Sequence, residues 1–212
     1  WCYLERYWLM SKILIVGNGP SALEKEYGSI IDSDKWDVVM RFNRWNKDDD
    51  GTEWVDNSKY AGTRCDYWVI NDLRINVGIE RRHDFNTVLV VCPKFKFQHQ
   101  IQNFERIEKE NDNMKFIPVS YEDYINEHMV DFRPQWPSTG VMGIYFGVRH
   151  FDEVYLHGFD TYDNKVDKLH YFEDIPIPPR LKNNREHEPT KEKDFIKIVK
   201  DKYNVKLLED TL

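Results

Sequence analysis

Seven apolar runs of strand length alternate along this chain with windows whose apolar residues recur at helical spacing, and few folds accommodate that alternation except a sheet covered by helices. The runs are Lys12–Val16, Asp37–Phe42, Cys65–Ile70, Thr87–Cys92, Lys115–Pro118, Glu153–His157 and Val205–Leu208. The helical windows are Ser21–Ile31, Gln98–Glu110, Tyr121–His128, Thr139–Arg149 and Thr190–Tyr203, each with one face suited to burial. Short connections between strand and helix predict parallel strands with right-handed crossovers. The expected fold is a single Rossmann-like α/β domain, a mostly parallel twisted sheet flanked by helices. Ligands of such sheets sit outside the carboxyl ends of the strands. The segments Gly17–Gly19, Phe42-Asn43 and Gly158-Phe159-Asp160 fall at those ends.

Length and charge narrow the function. A chain of 212 residues is long enough for one substantial core. Its formal net charge of −7 argues against nucleic-acid binding, which needs a basic surface to displace counterions. The aromatic content of 15% suits a dense core or stacking surfaces around a ligand. The longest apolar runs fall far short of the roughly 18 residues that span a bilayer, so no transmembrane segment is expected. Residues 1–9 carry no clear cleavage signal and precede Met10-Ser11-Lys12, which reads like a native start; they are expected to be an upstream or added segment, with 10–212 as the domain. Cys2, Cys65 and Cys92 have no metal-ligand spacing and read as reduced thiols. Asp48-Asp49-Asp50 reads as a solvated loop, and 169–188, rich in proline and basic residues, as a lid.

Several residues could carry chemistry. In Ile13–Ser21 (ILIVGNGPS) an apolar strand runs into a Gly-Asn-Gly turn before a predicted helix, an arrangement that presents backbone N–H groups and a positive dipole end to an anion. Gly17 and Gly19 would let a ligand approach the main chain, and the Asn18 amide could bond a ribose or phosphate. A turn asparagine tolerating left-handed dihedrals is the plainer reading. Asn43 ends the second strand. Arg41, inside DVVMRFN, either reaches an anionic ligand or pairs internally. Ser138, Thr139 and Gly140 start a helix and could cap it, bind an anion, or both. Gly28, Trp36, Trp45 and Trp54 read as structural, His157 as a core or supporting histidine, and Trp136 as a possible ligand contact just before the Pro-Ser-Thr-Gly turn.

These segments, with His170-Tyr171 and the pair His187 and Glu192 separated by four residues, resemble the animal-type sialyltransferase family (glycosyltransferase family 29), whose large, small, third and very-small motifs stand in this order. The most specific block is Pro137–Asp160 (PSTGVMGIYFGVRHFDEVYLHGFD). The turn Gly17–Ser21 is also similar to that of a second, bacterial sialyltransferase family. The resemblance implies a GT-A-variant-like fold and an inverting transfer of an acidic sugar, sialic acid or Kdo-like, from a CMP-activated donor to a glycan or glycolipid acceptor. It assigns His187 as general base, with Glu188 a weaker alternative, and His170 to the leaving phosphate. Donor binding falls to Gly17, Asn18, Gly19, Asn43, Ser138, Thr139, Gly140, Gly158, Phe159 and Tyr171. No metal and no cofactor are implied, the CMP-sugar being a substrate. Lumenal members carry a disulfide at positions occupied here by Ile13 and Phe151, so a cytoplasmic location is expected.

Two other readings stand beside this one. Gly17-Asn18-Gly19-Pro20-Ser21-Ala22 satisfies the G-x-G-x-x-A pattern of a dinucleotide-dependent oxidoreductase, although the second strand ends in Arg41-Phe42-Asn43-Arg44 where NAD would require an acidic residue, leaving NADP. A non-catalytic nucleotide-binding protein is the third.

Overall fold

A computed structural model describes residues 11–43, 45, 56–71, 87–110, 115–126, 129–160 and 189–212. Within these residues seven strands form one parallel sheet: β1 Lys12–Val16, β2 Val38–Phe42, β3 Tyr67–Asn71, β4 Thr87–Cys92, β5 Lys115–Ser120, β6 Glu153–His157 and β7 Val205–Leu207. Among the described residues the helices are α1 Gly28–Ile31, α2 Ser58–Ala61, α3 Lys94–Glu110, α4 Tyr121–Asn126, α5 Thr139–His150 and α6 Pro189–Lys202. The predicted strands are all present: Lys12–Val16, Thr87–Cys92 and Glu153–His157 keep their predicted bounds, and the others differ by one or two residues at an end.

The strand order is β5-β4-β3-β2-β1-β6-β7. The chain therefore builds outward from β1 to β5, then returns through α5 to place β6 on the free side of β1. This reversal opens a crevice between the carboxyl ends of β1 and β6, the usual ligand position in an open α/β sheet.

Period-two alternation along β1 feeds two cores. Ile13 and Ile15 join Met40, Phe42, Val154 and Leu156 under α5 and α6, while Leu14 and Val16 join Trp36, Val39, Tyr155 and Leu208 on the other face. A further cluster of Trp45, Cys65, Trp68, Ile70, Val90 and Phe104 lies under α3. Helix α5 is buried along most of its length and touches β1 through β4 and β6. Gly143 lets it come this close, because a Cβ there would collide with the Phe42 ring. Among the described residues no helix is long and apolar enough to cross a membrane.

One predicted helix is corrected. Ser21–Ile31 is not continuous: Pro20–Leu23 forms a single 3-10 turn and α1 begins only at Gly28. Tyr27, at φ −96° and ψ 2°, leaves the helical path between them. Gly28 is pressed so closely against the Ser58 carbonyl that a Cβ would not fit, and this tertiary contact outweighs the local helical pattern.

Candidate active site

The crevice is closed at its base by main-chain contacts between the two glycine turns. The Gly17 N–H donates to the His157 carbonyl at 2.7 Å and the Gly19 N–H to the Gly158 carbonyl at 2.9 Å. Gly158 has φ +71°, and a Cβ at Gly17 would strike its carbonyl oxygen. The Ser21 N–H donates to the Asp160 carboxylate at 3.0 Å. An internal carboxylate thus takes the position where a phosphate was expected at this turn, and only a four-residue 3-10 segment follows. These glycines serve the approach of one turn to the other. The oxidoreductase reading loses its physical support, since the amides that would cradle a pyrophosphate already have protein acceptors.

Beside the closed base, two asparagines keep unused acceptors. Asn18 donates its Nδ2 to the Phe42 carbonyl at 3.0 Å, tying the end of β1 to that of β2, while its Oδ1 is buried with no partner. Asn43 sits in the left-handed region at φ 46°; its N–H donates to the Val69 carbonyl at 2.9 Å and its carbonyl accepts from Trp68 Nε1 at 2.8 Å. Asn43 Oδ1 is likewise buried and unpartnered. A buried acceptor without a donor costs roughly 1–3 kcal/mol, so two such oxygens in neighbouring turns are strong anchor points for ligand N–H or O–H groups.

The third wall is the start of α5. Ser138 is its N-cap: Oγ accepts from the Val141 N–H at 3.2 Å, and the residue is buried. Thr139 and Gly140 form the half-exposed first turn. Gly140 faces the Phe159 ring, with space for a Cβ only 3.2 Å from that ring, and Phe159 meets Phe42 edge-on at a centroid distance of 5.9 Å. Gly17, Asn18, Gly19, Asn43, Ser138, Thr139, Gly140, Gly158 and Phe159 therefore converge on one place, at the carboxyl ends of β1, β2 and β6. Tyr171, His170, His187 and the predicted lid 169–188 lie outside the described residues, as do residues 1–9 and Asp48-Asp49-Asp50.

Sequence reasoning missed what lies behind Ser138. Glu192, in the first turn of α6, is 6% exposed, and burial pushes its carboxyl up to about 7 against the opposing pull of hydrogen bonds from Ser138. One of its oxygens has no partner. The Tyr124 hydroxyl is raised by its own burial and by the Glu192 charge. The starts of α5 and α6 are thus joined through one titratable group. Residues 54 positions apart show no local spacing that would announce the contact.

Arg41, whose sequence left two roles open, turns inward. It is fully buried, donates Nε to the Arg64 carbonyl at 2.8 Å and Nη2 to the Ala61 carbonyl, and lies 4.3 Å above the Trp45 ring. Trp36 is also structural, donating Nε1 to the Ile30 carbonyl at 2.8 Å. Trp136 is exposed and stacks on Tyr121 at 4.9 Å. Ile13 and Phe151 are buried in one apolar core, and Cys65 and Cys92 are buried in another.

A parallel sheet with its strand order reversing at β1, and amide, hydroxyl and aromatic groups gathered at that reversal, defines an open α/β fold with a ligand crevice at the switch point. The profile of glycosyltransferase family 29 (sialyltransferase) matches residues 73–203, more than half of the chain, and the chain belongs to that family. Over 183 residues it is 25% identical to the human CMP-N-acetylneuraminate-beta-galactosamide-alpha-2,3-sialyltransferase 1, covering 82% of this chain and 51% of that protein. The mouse counterpart is 23% identical over 184 residues, with 82% and 52% covered. The chain thus spans about half the length of these relatives. The apo crystal structure of alpha-2,3-sialyltransferase from Campylobacter jejuni shares the fold, with a TM-score of 0.54 and 17% identity over 94% of this chain and 75% of that one.

Proposed function

We propose that this chain is a metal-independent, inverting glycosyltransferase that moves an acidic sugar from a CMP-activated donor to a hydroxyl of a glycan or glycolipid acceptor. The observation that carries the reading is the pair of buried, unpartnered oxygens, Asn18 Oδ1 and Asn43 Oδ1, beside the N-terminus of α5. The ribose hydroxyls and cytosine amino group of CMP are donors that would satisfy those oxygens, and a helix N-terminus favours the phosphate. The relatives are named for a CMP-N-acetylneuraminate donor, which favours sialic acid over a Kdo-like sugar.

In this reaction a bond forms between the acceptor oxygen and the anomeric carbon. The anomeric carbon–phosphate oxygen bond breaks, and CMP leaves with the electron pair. His187 takes the acceptor proton, because an imidazole titrates near neutral pH. His170, with Tyr171, stabilises the charge that develops on the leaving phosphate. Both assignments rest on the resemblance to the family's motifs, the third motif for His170-Tyr171 and the very-small motif for His187 and Glu192. The segment 169–188 would close over bound donor as a lid. Buried Ile13 and Phe151, at the positions where lumenal relatives carry a disulfide, favour a reducing, cytoplasmic setting.

The test is incubation with CMP-sialic acid, CMP-Kdo and NADPH separately, following thermal shift and CMP release with and without EDTA. CMP-sialic acid is expected to stabilise the protein and yield CMP in either condition. Stabilisation by NADPH alone, or turnover abolished by EDTA and restored by magnesium, would overturn the proposal. His187→Ala should keep donor affinity and lose roughly 10²–10⁴ in turnover, while His170→Ala should weaken both.

A further inference from the structure

The buried imidazole of His157 takes no part in the chemistry above, yet it lies where the two glycine turns meet. It ends β6 and is 2% exposed. Its own carbonyl holds the Gly17 N–H, and the next residue, Gly158, holds the Gly19 N–H. Its side chain faces the other way, toward Tyr27, whose ring meets it edge-on at 5.4 Å, and toward the C-terminal turn Leu208–Thr211. There His157 Nδ1 is 2.6 Å from Glu209 Oε1, a contact that joins residues 52 apart. A carboxylate only accepts, so Nδ1 carries the proton and donates, and the short distance marks a charge-assisted bond. Nε2 is buried without a partner, which leaves the Glu209 contact as the ring's polar anchor.

The end of β6 is paired on both sides in the sheet, but the space beside the His157 ring is not filled by side chains. A cavity of about 270 Å³ opens beside it, lined in part by Ser21, Tyr27, His157, Phe159 and Glu209. Phe159 therefore borders the empty volume on one side and Gly140 and Phe42 on the other. Where side chains do not fill the space, a hydrogen bond must supply the rigidity.

We propose that His157 and Glu209 form a positioning pair that fixes the end of β6, and through it the Gly17–Gly19 and Gly158-Phe159 turns that seat the CMP moiety. Neither residue touches the donor. The pair acts through the main-chain bonds from Gly17 to His157 and from Gly19 to Gly158. The inference rests on the reading that CMP occupies these turns.

Three variants of the full chain test it: Glu209→Ala, His157→Gln and His157→Asn. The side-chain nitrogen of asparagine reaches the place of Nδ1, and that of glutamine reaches the place of Nε2, so only His157→Asn can keep the bond to Glu209. Three readouts are taken: the Kd for CMP, amide hydrogen exchange at Gly17 and Gly19, and turnover at saturating donor. Glu209→Ala and His157→Gln are expected to weaken CMP and speed exchange at both amides by about tenfold, the usual scale of coupling between linked elements. Turnover at saturating donor should change less than about twofold, and His157→Asn should behave like the parent in all three measures. Equal damage from His157→Asn and His157→Gln, or unchanged exchange in Glu209→Ala, would overturn the proposal. If the parent binds no CMP, the donor reading fails, and the exchange rates still decide whether the pair positions the turns.

Discussion

Replacing Glu192 by glutamine should change how the stability of this protein depends on pH. The carboxyl is buried against Ser138 and titrates near 7 in the folded chain rather than at its ordinary 4.5. Because the folded value is raised, the native state binds more protons than the unfolded chain between those two values. The contribution is thus fully present below about pH 4.5 and is lost as pH rises through 7. At 1.36 kcal/mol per pKa unit, the shift corresponds to about 3 kcal/mol. Glutamine keeps the shape and stays neutral throughout, and its amide can still bond Ser138. Urea unfolding of the parent and Glu192→Gln should be compared at pH 4.5, 6, 7 and 8. The difference cancels groups that titrate alike in both proteins, and it should move by about 3 kcal/mol in favour of the variant between the lowest and highest pH. A difference independent of pH would refute the reasoning, since a merely structural glutamate would shift stability equally at every pH.

Three further outcomes follow from the geometry around the crevice. Gly17→Ala forces a Cβ into the Gly158 carbonyl and should lower stability by about 1–3 kcal/mol, with a matching drop in the urea midpoint; unchanged stability would mean that the two turns separate easily. Asp160→Asn removes the anion from the Ser21 N–H, and the variant should bind inorganic phosphate at that turn more tightly than the parent by calorimetry. Arg41→Met strips the donors from the Ala61 and Arg64 carbonyls and should destabilise by about 2–4 kcal/mol while leaving the Kd for CMP within about twofold, because the arginine faces inward.

Much of this protein is written locally in its sequence. Strand and helix positions could be read because each apolar run or stripe depends only on neighbours a few residues away, as in Lys12–Val16 and Thr139–His150. The positions of the candidate site residues were legible for the same reason, since local patterns place Asn18 and Asn43 at strand carboxyl ends and Ser138 at a helix start whatever the details of packing. Only tertiary structure decided how those groups are used. The break at Gly28 comes from the Ser58 carbonyl, the anion at Ser21 is Asp160, and the partners of Arg41 are carbonyls at the end of α2 and in the loop after it. The contacts of Glu192 with Ser138 and of His157 with Glu209 join residues 54 and 52 apart. Burial and hydrogen-bond partnership are properties of the assembled sheet; a residue's type limits what it can bond, and the fold chooses which group it meets.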